Sequence, residues 1–99
     1  GQARILELRE QAKQAFRQAR RLMRQLAFDA AREPLESSMV LLARAFARQR
    51  RIAEPQHARQ TLTEPYAGLW GDLLPVLREG FQESSPVALS RALMAKFGG

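Results

Sequence analysis

The fold is decided by the stretch from Ile5 to Leu26, which reads ILELREQAKQAFRQARRLMRQL. Its apolar positions recur at alternating spacings of three and four residues, the a/d pattern of a helix that packs against another helix. These positions are Ile5, Leu8, Ala12, Ala15, Ala19, Leu22 and Leu26. No glycine or proline interrupts residues 2–33, so the pattern predicts one helix over residues 3–31. The alanines in its middle predict a bulky residue opposite them, for which Phe46 is the candidate.

A second helix is expected to follow Pro34, because proline suits the first position of a helix. Its apolar residues again repeat every three or four positions: Leu35, Met39, Leu42 and Phe46. The dipeptide Glu54-Pro55 is expected to end it. Because few residues separate the two helices, the simplest arrangement is an antiparallel hairpin over residues 3–53. The alternative is a single long helix, kinked at Pro34, whose seam packs on a second chain.

The C-terminal part, residues 64–97, is divided by more glycines and prolines and is nearly neutral. Residues 54–63 are interpreted as a linker or one short helical turn. The expected boundaries are N-caps at Thr63 and Ser85, a left-handed stop at Gly80, and a helix end at Gly98. The run between Thr63 and Gly80 is expected to be either one kinked helix or two short helices, the second of them capped by Asp72. No segment alternates apolar and polar residues as a strand does. The chain is therefore predicted to be one all-α domain over residues 1–99, a long hairpin followed by two or three shorter helices.

The composition argues against catalysis, metal binding and a cofactor. The 99 residues include no cysteine and one histidine, so a thiolate site and a nucleophile with a histidine base are both improbable. Glu54 and His57 have the i, i+3 spacing of a di-iron ligand pair, but such sites need two pairs and two further glutamates. No Gly-rich phosphate loop is present. We expect a non-enzymatic protein without catalytic, metal or cofactor residues, located in the cytoplasm because no apolar leader or bilayer span is evident.

Positive charge is concentrated in the first part of the chain. The net charge is +6, and residues 1–59 contribute +7 while residues 60–99 contribute −1. Five cations share the outer face of the first helix, and we call them the basic stripe: Lys13, Arg17, Arg20, Arg21 and Arg24. With a second row at Arg44, Arg48 and Arg51, the stripe favours nucleic-acid binding as one alternative. No aromatic residue interleaves with it to stack on bases, and a solvated helix face is the simpler interpretation.

Protein binding is the other interpretation, since aromatic residues and arginines are enriched at interface hot spots. The predicted protein-binding residues are Phe16, Met23, Tyr66, Trp70 and Phe81. The competing interpretation is that these side chains complete the core of the monomer. Part of the first helix is also expected to reach a second copy and form a two-fold homodimer.

The stretch QAKQAFRQARRLMRQLAFDAA, residues 11–31, lies in a short, cysteine-free, arginine- and glutamine-rich helical chain. In size, composition and helical plan this chain resembles the small quorum-sensing antiactivators of the QslA type. The resemblance implies a homodimer that captures a LuxR-type transcription factor such as LasR, disrupts the dimer of that factor and stops it binding DNA. It assigns no individual binding residue. Separately from the resemblance, no membrane partner is expected, because the longest unbroken apolar run is Met39–Ala43.

Overall fold

The computed structural model describes residues 1–98, and within them it contains four α-helices and no strand. The helices are α1 (Gln2–Arg24), α2 (Phe28–Arg50), α3 (Leu74–Gln82) and α4 (Pro86–Phe97). Three short 3-10 turns, Arg59–Leu62, Ala67–Leu69 and Gly71–Leu73, lie between α2 and α3. The expected all-α fold, a long hairpin followed by shorter helices, is confirmed.

Helices α1 and α2 form an antiparallel hairpin that gives the molecule its longest dimension of 38 Å. Residues 25–27 connect them, and near the open end Arg9 donates a hydrogen bond to Gln49 at 3.1 Å. In the predicted seam Leu8 is fully buried, as are Ala12 and Ala19. The hairpin therefore forms within one chain, and the alternative of one long helix kinked at Pro34 is wrong.

The connection between the helices comes earlier than the sequence predicted. Helix α1 ends at Arg24 and not near residue 31, because Leu26 adopts a left-handed conformation with φ of 61°. The Ala27 N–H then donates to the Leu22 carbonyl at 2.9 Å, and the Leu26 N–H donates to Met23 at 3.0 Å. This pair of bonds is a Schellman motif, which usually has glycine in the left-handed position. Leu26, expected in the seam, is instead 73% exposed.

Replacing Leu26 with glycine is expected to raise the free energy of unfolding by about 0.5–1 kcal/mol, because glycine adopts a positive φ without the steric cost that a Cβ brings. Urea denaturation of the two proteins measures the difference. The variant Leu26→Ala is the control, because it removes the same exposed side chain and keeps the Cβ. An equal stabilisation by Leu26→Ala would show that the side chain, not the backbone conformation, is responsible.

Pro34 lies inside α2 and not at its first position, which corrects the predicted start of that helix. The proline ring has no N–H to donate to the carbonyl of Ala30, so one hydrogen bond of the helix is missing in its second turn. Phe46 does not face the alanines of α1 either. Its ring lies outside the buried clusters, 3.7 Å from the guanidinium carbon of Arg50. Leu35 and Met39 of α2 belong instead to the same buried cluster as Ala19.

The C-terminal helices cover one side of the hairpin and complete a single main core. This core joins Phe16 of α1 and Leu35 of α2 to Trp70 and to residues of α3 and α4. The members from α3 and α4 are Leu77, Phe81, Leu89, Ala92 and Leu93. A smaller cluster of Ile5, Leu8 and Ala45 closes the open end of the hairpin.

Two of the boundaries expected in this part are confirmed. The Ser85 hydroxyl accepts a hydrogen bond from the Ala88 N–H at 3.1 Å and caps α4, and Gly98 ends α4 with φ of 77°. Thr63 and Asp72 are not N-caps. The Thr63 hydroxyl instead donates to the Gln60 carbonyl at 2.7 Å.

Gly80 is not a left-handed stop but a buried residue within α3. A Cβ at this position would lie 3.0 Å from Cδ2 of Leu89, so glycine allows α4 to approach α3 closely. The helix ends at Gln82, and Ser84 takes the left-handed position with φ of 50°. The Ser85 N–H then donates to the Gly80 carbonyl at 2.8 Å, which forms a second Schellman motif without glycine at its left-handed residue.

Candidate functional site

A groove of about 430 Å³ runs along the outer face of α1, and all five residues of the basic stripe line it. Its remaining wall is made by Phe16 of α1 and by Phe97 and Gly98 at the end of α4. We call this site the cationic groove. The helical spacing predicted that the five cations share one face, and the structure brings them together as expected.

The apolar wall of the groove is fixed by packing between α1 and α4. The rings of Phe16 and Phe97 stack with their centroids 5.0 Å apart and their planes 19° from parallel. The guanidinium carbon of Arg20 lies 5.9 Å from the Phe16 centroid, and its Nη1 donates to the Met94 sulfur at 3.0 Å. Arg20 is consequently half-buried, while the other four cations of the stripe are exposed.

The charge of the groove is poorly neutralised by the protein itself. Within residues 1–98 its one ion pair joins Arg17 Nη1 to Glu10 Oε1 at 3.7 Å, and both side chains are more than half exposed. Such exposed pairs contribute little, because water screens them. No carboxylate of the described chain pairs with Lys13, Arg21 or Arg24. The groove therefore presents a field that attracts an anionic ligand.

The second row of arginines does not extend the cationic groove. Arg44 Nε donates to the Pro55 carbonyl at 3.0 Å, and Arg48 Nε lies 3.3 Å from Oε2 of Glu54. Arg51 holds the left-handed position that ends α2. The side chains of Arg44 and Arg48 thus contact the segment that follows α2. These contacts do not support the expected second row of phosphate-binding arginines.

The residues predicted for protein binding are mostly in the core. Four of them are only 2–6% exposed: Phe16, Tyr66, Trp70 and Phe81. Met23 is half-buried against the same core. The Tyr66 hydroxyl donates to the Ala53 carbonyl at 2.6 Å, and Trp70 Nε1 donates to the Thr61 carbonyl at 2.9 Å. Their burial agrees with the competing interpretation that these side chains complete the core of the monomer, and it leaves little of them exposed to a partner.

Phe97 is the groove residue that sequence analysis missed. It is 81 positions from Phe16 in the sequence and is the last residue of α4. Tertiary packing places its ring beside the basic stripe, where Phe16 of α1 also lies, so the expectation that no aromatic residue accompanies these cations is wrong. No local signal in the sequence links the end of α4 to the middle of α1.

Glu54 and His57, which have the spacing of a di-iron ligand pair, lie in the segment that follows α2. Glu54 pairs with Arg48, and His57 is exposed in the connection after α2. Among residues 1–98, no cluster of three or more histidines and acidic residues has a geometry that would hold a metal ion. In the same part of the chain, no helix has the length and apolar character needed to cross a bilayer.

Comparison of the chain with known proteins finds no matching family model, no matching curated protein and no matching solved structure. The residues of the cationic groove are therefore the basis for a functional proposal. They offer positive charge beside an apolar wall.

Proposed function

We propose that this chain is a non-enzymatic regulator that binds an acidic segment of a partner protein in the cationic groove. The observation that supports the proposal is the combination of five cations with the ring of Phe97 in one concave site. Four of the five cations are arginines, whose planar guanidinium groups form paired hydrogen bonds with carboxylates. An acidic protein segment offers both carboxylates and apolar side chains.

The apolar wall favours a protein over duplex DNA as the ligand. The DNA backbone presents phosphates and sugars, so it would engage the cations and leave Phe97 without an apolar partner. Acidic residues interspersed with leucine or phenylalanine would satisfy both parts of the groove. Electrostatic attraction would also speed the encounter with an acidic partner.

A direct comparison of ligands tests this proposal. We expect a fluorescein-labelled peptide of glutamate and leucine to bind the protein in an anisotropy titration, and an excess of random-sequence duplex DNA to displace it weakly. Binding of DNA in a mobility-shift titration is expected to be weak at physiological salt. Displacement of the peptide by low concentrations of DNA, with DNA affinity falling steeply as salt rises, would instead support the nucleic-acid alternative.

The more specific form of the proposal is an antiactivator that captures a LuxR-type transcription factor. In this mechanism a homodimer of the chain occupies the surface through which the receptor pairs with itself, and the receptor then leaves its operator. The basic stripe would supply the attraction to an acidic part of the receptor. The support for this form is the sequence resemblance together with the anion-attracting groove.

Adding the protein to a complex of a LuxR-type receptor with its operator DNA tests the specific form. We expect the shifted DNA band to disappear in proportion to added protein, because capture removes receptor dimers. Light scattering of the mixture is expected to show a complex of the two proteins. A shifted band that persists at excess protein, without any mixed complex, would reject this partner and leave the more general proposal to the peptide titration.

A further inference from the structure

A second groove continues the cationic groove on the other side of Phe97. It has a volume of about 390 Å³ and shares Lys13 and Phe97 with the first. Leu6 and Arg9 of α1, Leu42 of α2 and Lys96 of α4 also line it. We call the two grooves together the extended groove. It follows α1 from Leu6 to Arg24, a distance of about 27 Å at 1.5 Å per helical residue.

The second groove adds apolar surface to the charged part. Leu6 is 60% exposed, although every other leucine or isoleucine of α1 is at least half-buried. It lines the groove together with the half-buried Leu42 and Phe97. The apolar part thus lies towards the start of α1, and the arginine-rich part lies towards its end.

From this arrangement we propose that the extended groove binds one acidic amphipathic helix, which lies along α1. This inference rests on the proposed function and specifies the shape of the partner segment. Apolar side chains of that helix would pack on Leu6, Leu42 and Phe97, and its carboxylates would face the basic stripe. A helix of about 18 residues has the length of the extended groove.

A helix fits this site better than an extended peptide because the backbone groups of a helix already form hydrogen bonds with each other. An extended segment gains affinity mainly where an exposed sheet edge can pair its backbone groups, and residues 1–98 contain no strand. The backbones of α1 and α4 are already paired within their own helices along the groove. A helical ligand satisfies its own backbone, so that only side chains have to find partners.

The charge of the extended groove selects an acidic helix. Its cations are the five residues of the basic stripe together with Arg9 and Lys96, and its one acidic residue is Glu10. Glu10 is close to Arg17 and accepts a hydrogen bond from Gln14 at 3.5 Å. A neutral or basic helix would leave the remaining cations facing apolar or like-charged groups, which weakens its binding.

The test uses two labelled peptides of about 18 residues with the same number of glutamates and leucines. One peptide places its leucines at helical i, i+3, i+4 and i+7 spacing, and the other distributes them around the helix. We expect the first to bind at least about tenfold tighter in anisotropy titrations. We also expect Leu6→Gln to weaken the first peptide about threefold to tenfold and to leave the second unchanged.

Val76→Gln is the matched control, because Val76 is also an exposed apolar residue on a helix and lines neither groove. It is expected to change neither affinity. Equal binding of both peptides, abolished by Arg17→Glu with Arg21→Glu, would reject a helical ligand and keep the proposed function. Absence of binding by either peptide would reject both.

Discussion

Replacing Trp70 with alanine is expected to lower the free energy of unfolding by about 3–5 kcal/mol, the range measured when large buried aromatic residues are truncated. Trp70 is 2% exposed and belongs to the core that joins the hairpin to α3 and α4. Its Nε1 donates to the Thr61 carbonyl at 2.9 Å, and this acceptor loses its partner in the variant. A domain of this size has a total stability of about 5–15 kcal/mol, so a large fraction of it would be lost.

Trp70→Phe is the companion variant, because it keeps an aromatic ring in the core and removes the hydrogen bond. We expect it to cost less than Trp70→Ala in urea denaturation and to bind the acidic peptide as the unchanged protein does. Weaker peptide binding by a fully folded Trp70→Phe protein would show that Trp70 contacts the ligand. That result would contradict its assignment to the core.

The hairpin was predictable because burial follows the three-four spacing of apolar residues. Leu8, Ala12 and Ala19 are buried where the pattern places them. The end of α1 was not predictable in the same way. Helix ends are recognised in sequence mainly by glycine or proline, and here Leu26 takes the left-handed position that glycine usually occupies. The same reason explains why the end of α3, with Ser84 in that position, was placed too early at Gly80.

The charged half of the candidate site was predictable, and its apolar half was not. Residues on one face of a helix are fixed by its period, so the basic stripe followed from the sequence of α1 alone. Phe97 and Leu42 come from other helices, and their places beside α1 depend on how these helices pack. The composition likewise did not show which of the aromatic side chains are buried in the core. Trp70 and Phe81 suggested an interface, but the short turns and α3 fold them into the core.

Reversing two charges of the cationic groove, with Arg17→Glu and Arg21→Glu together, is expected to weaken binding of the acidic peptide about 100-fold at low salt. Each substitution removes an attraction and adds a repulsion to the carboxylates of the ligand. Both side chains are exposed, and glutamate is as good a helix former as arginine, so the fold is expected to persist. Anisotropy titrations at two salt concentrations measure the loss, which should shrink as salt screens the charges.

The control with the same change in net charge is Arg59→Glu with Arg91→Glu, because both arginines are exposed and line neither part of the extended groove. If the ligand is held in the groove, this control double variant is expected to bind the acidic peptide only slightly more weakly, through the change in the long-range field of the protein. An equal loss in both double variants, at matched thermal stability, would mean that net charge alone attracts the peptide. The local arrangement of α1 beside Phe97 would then have no role, because a diffuse field does not depend on which arginines supply it.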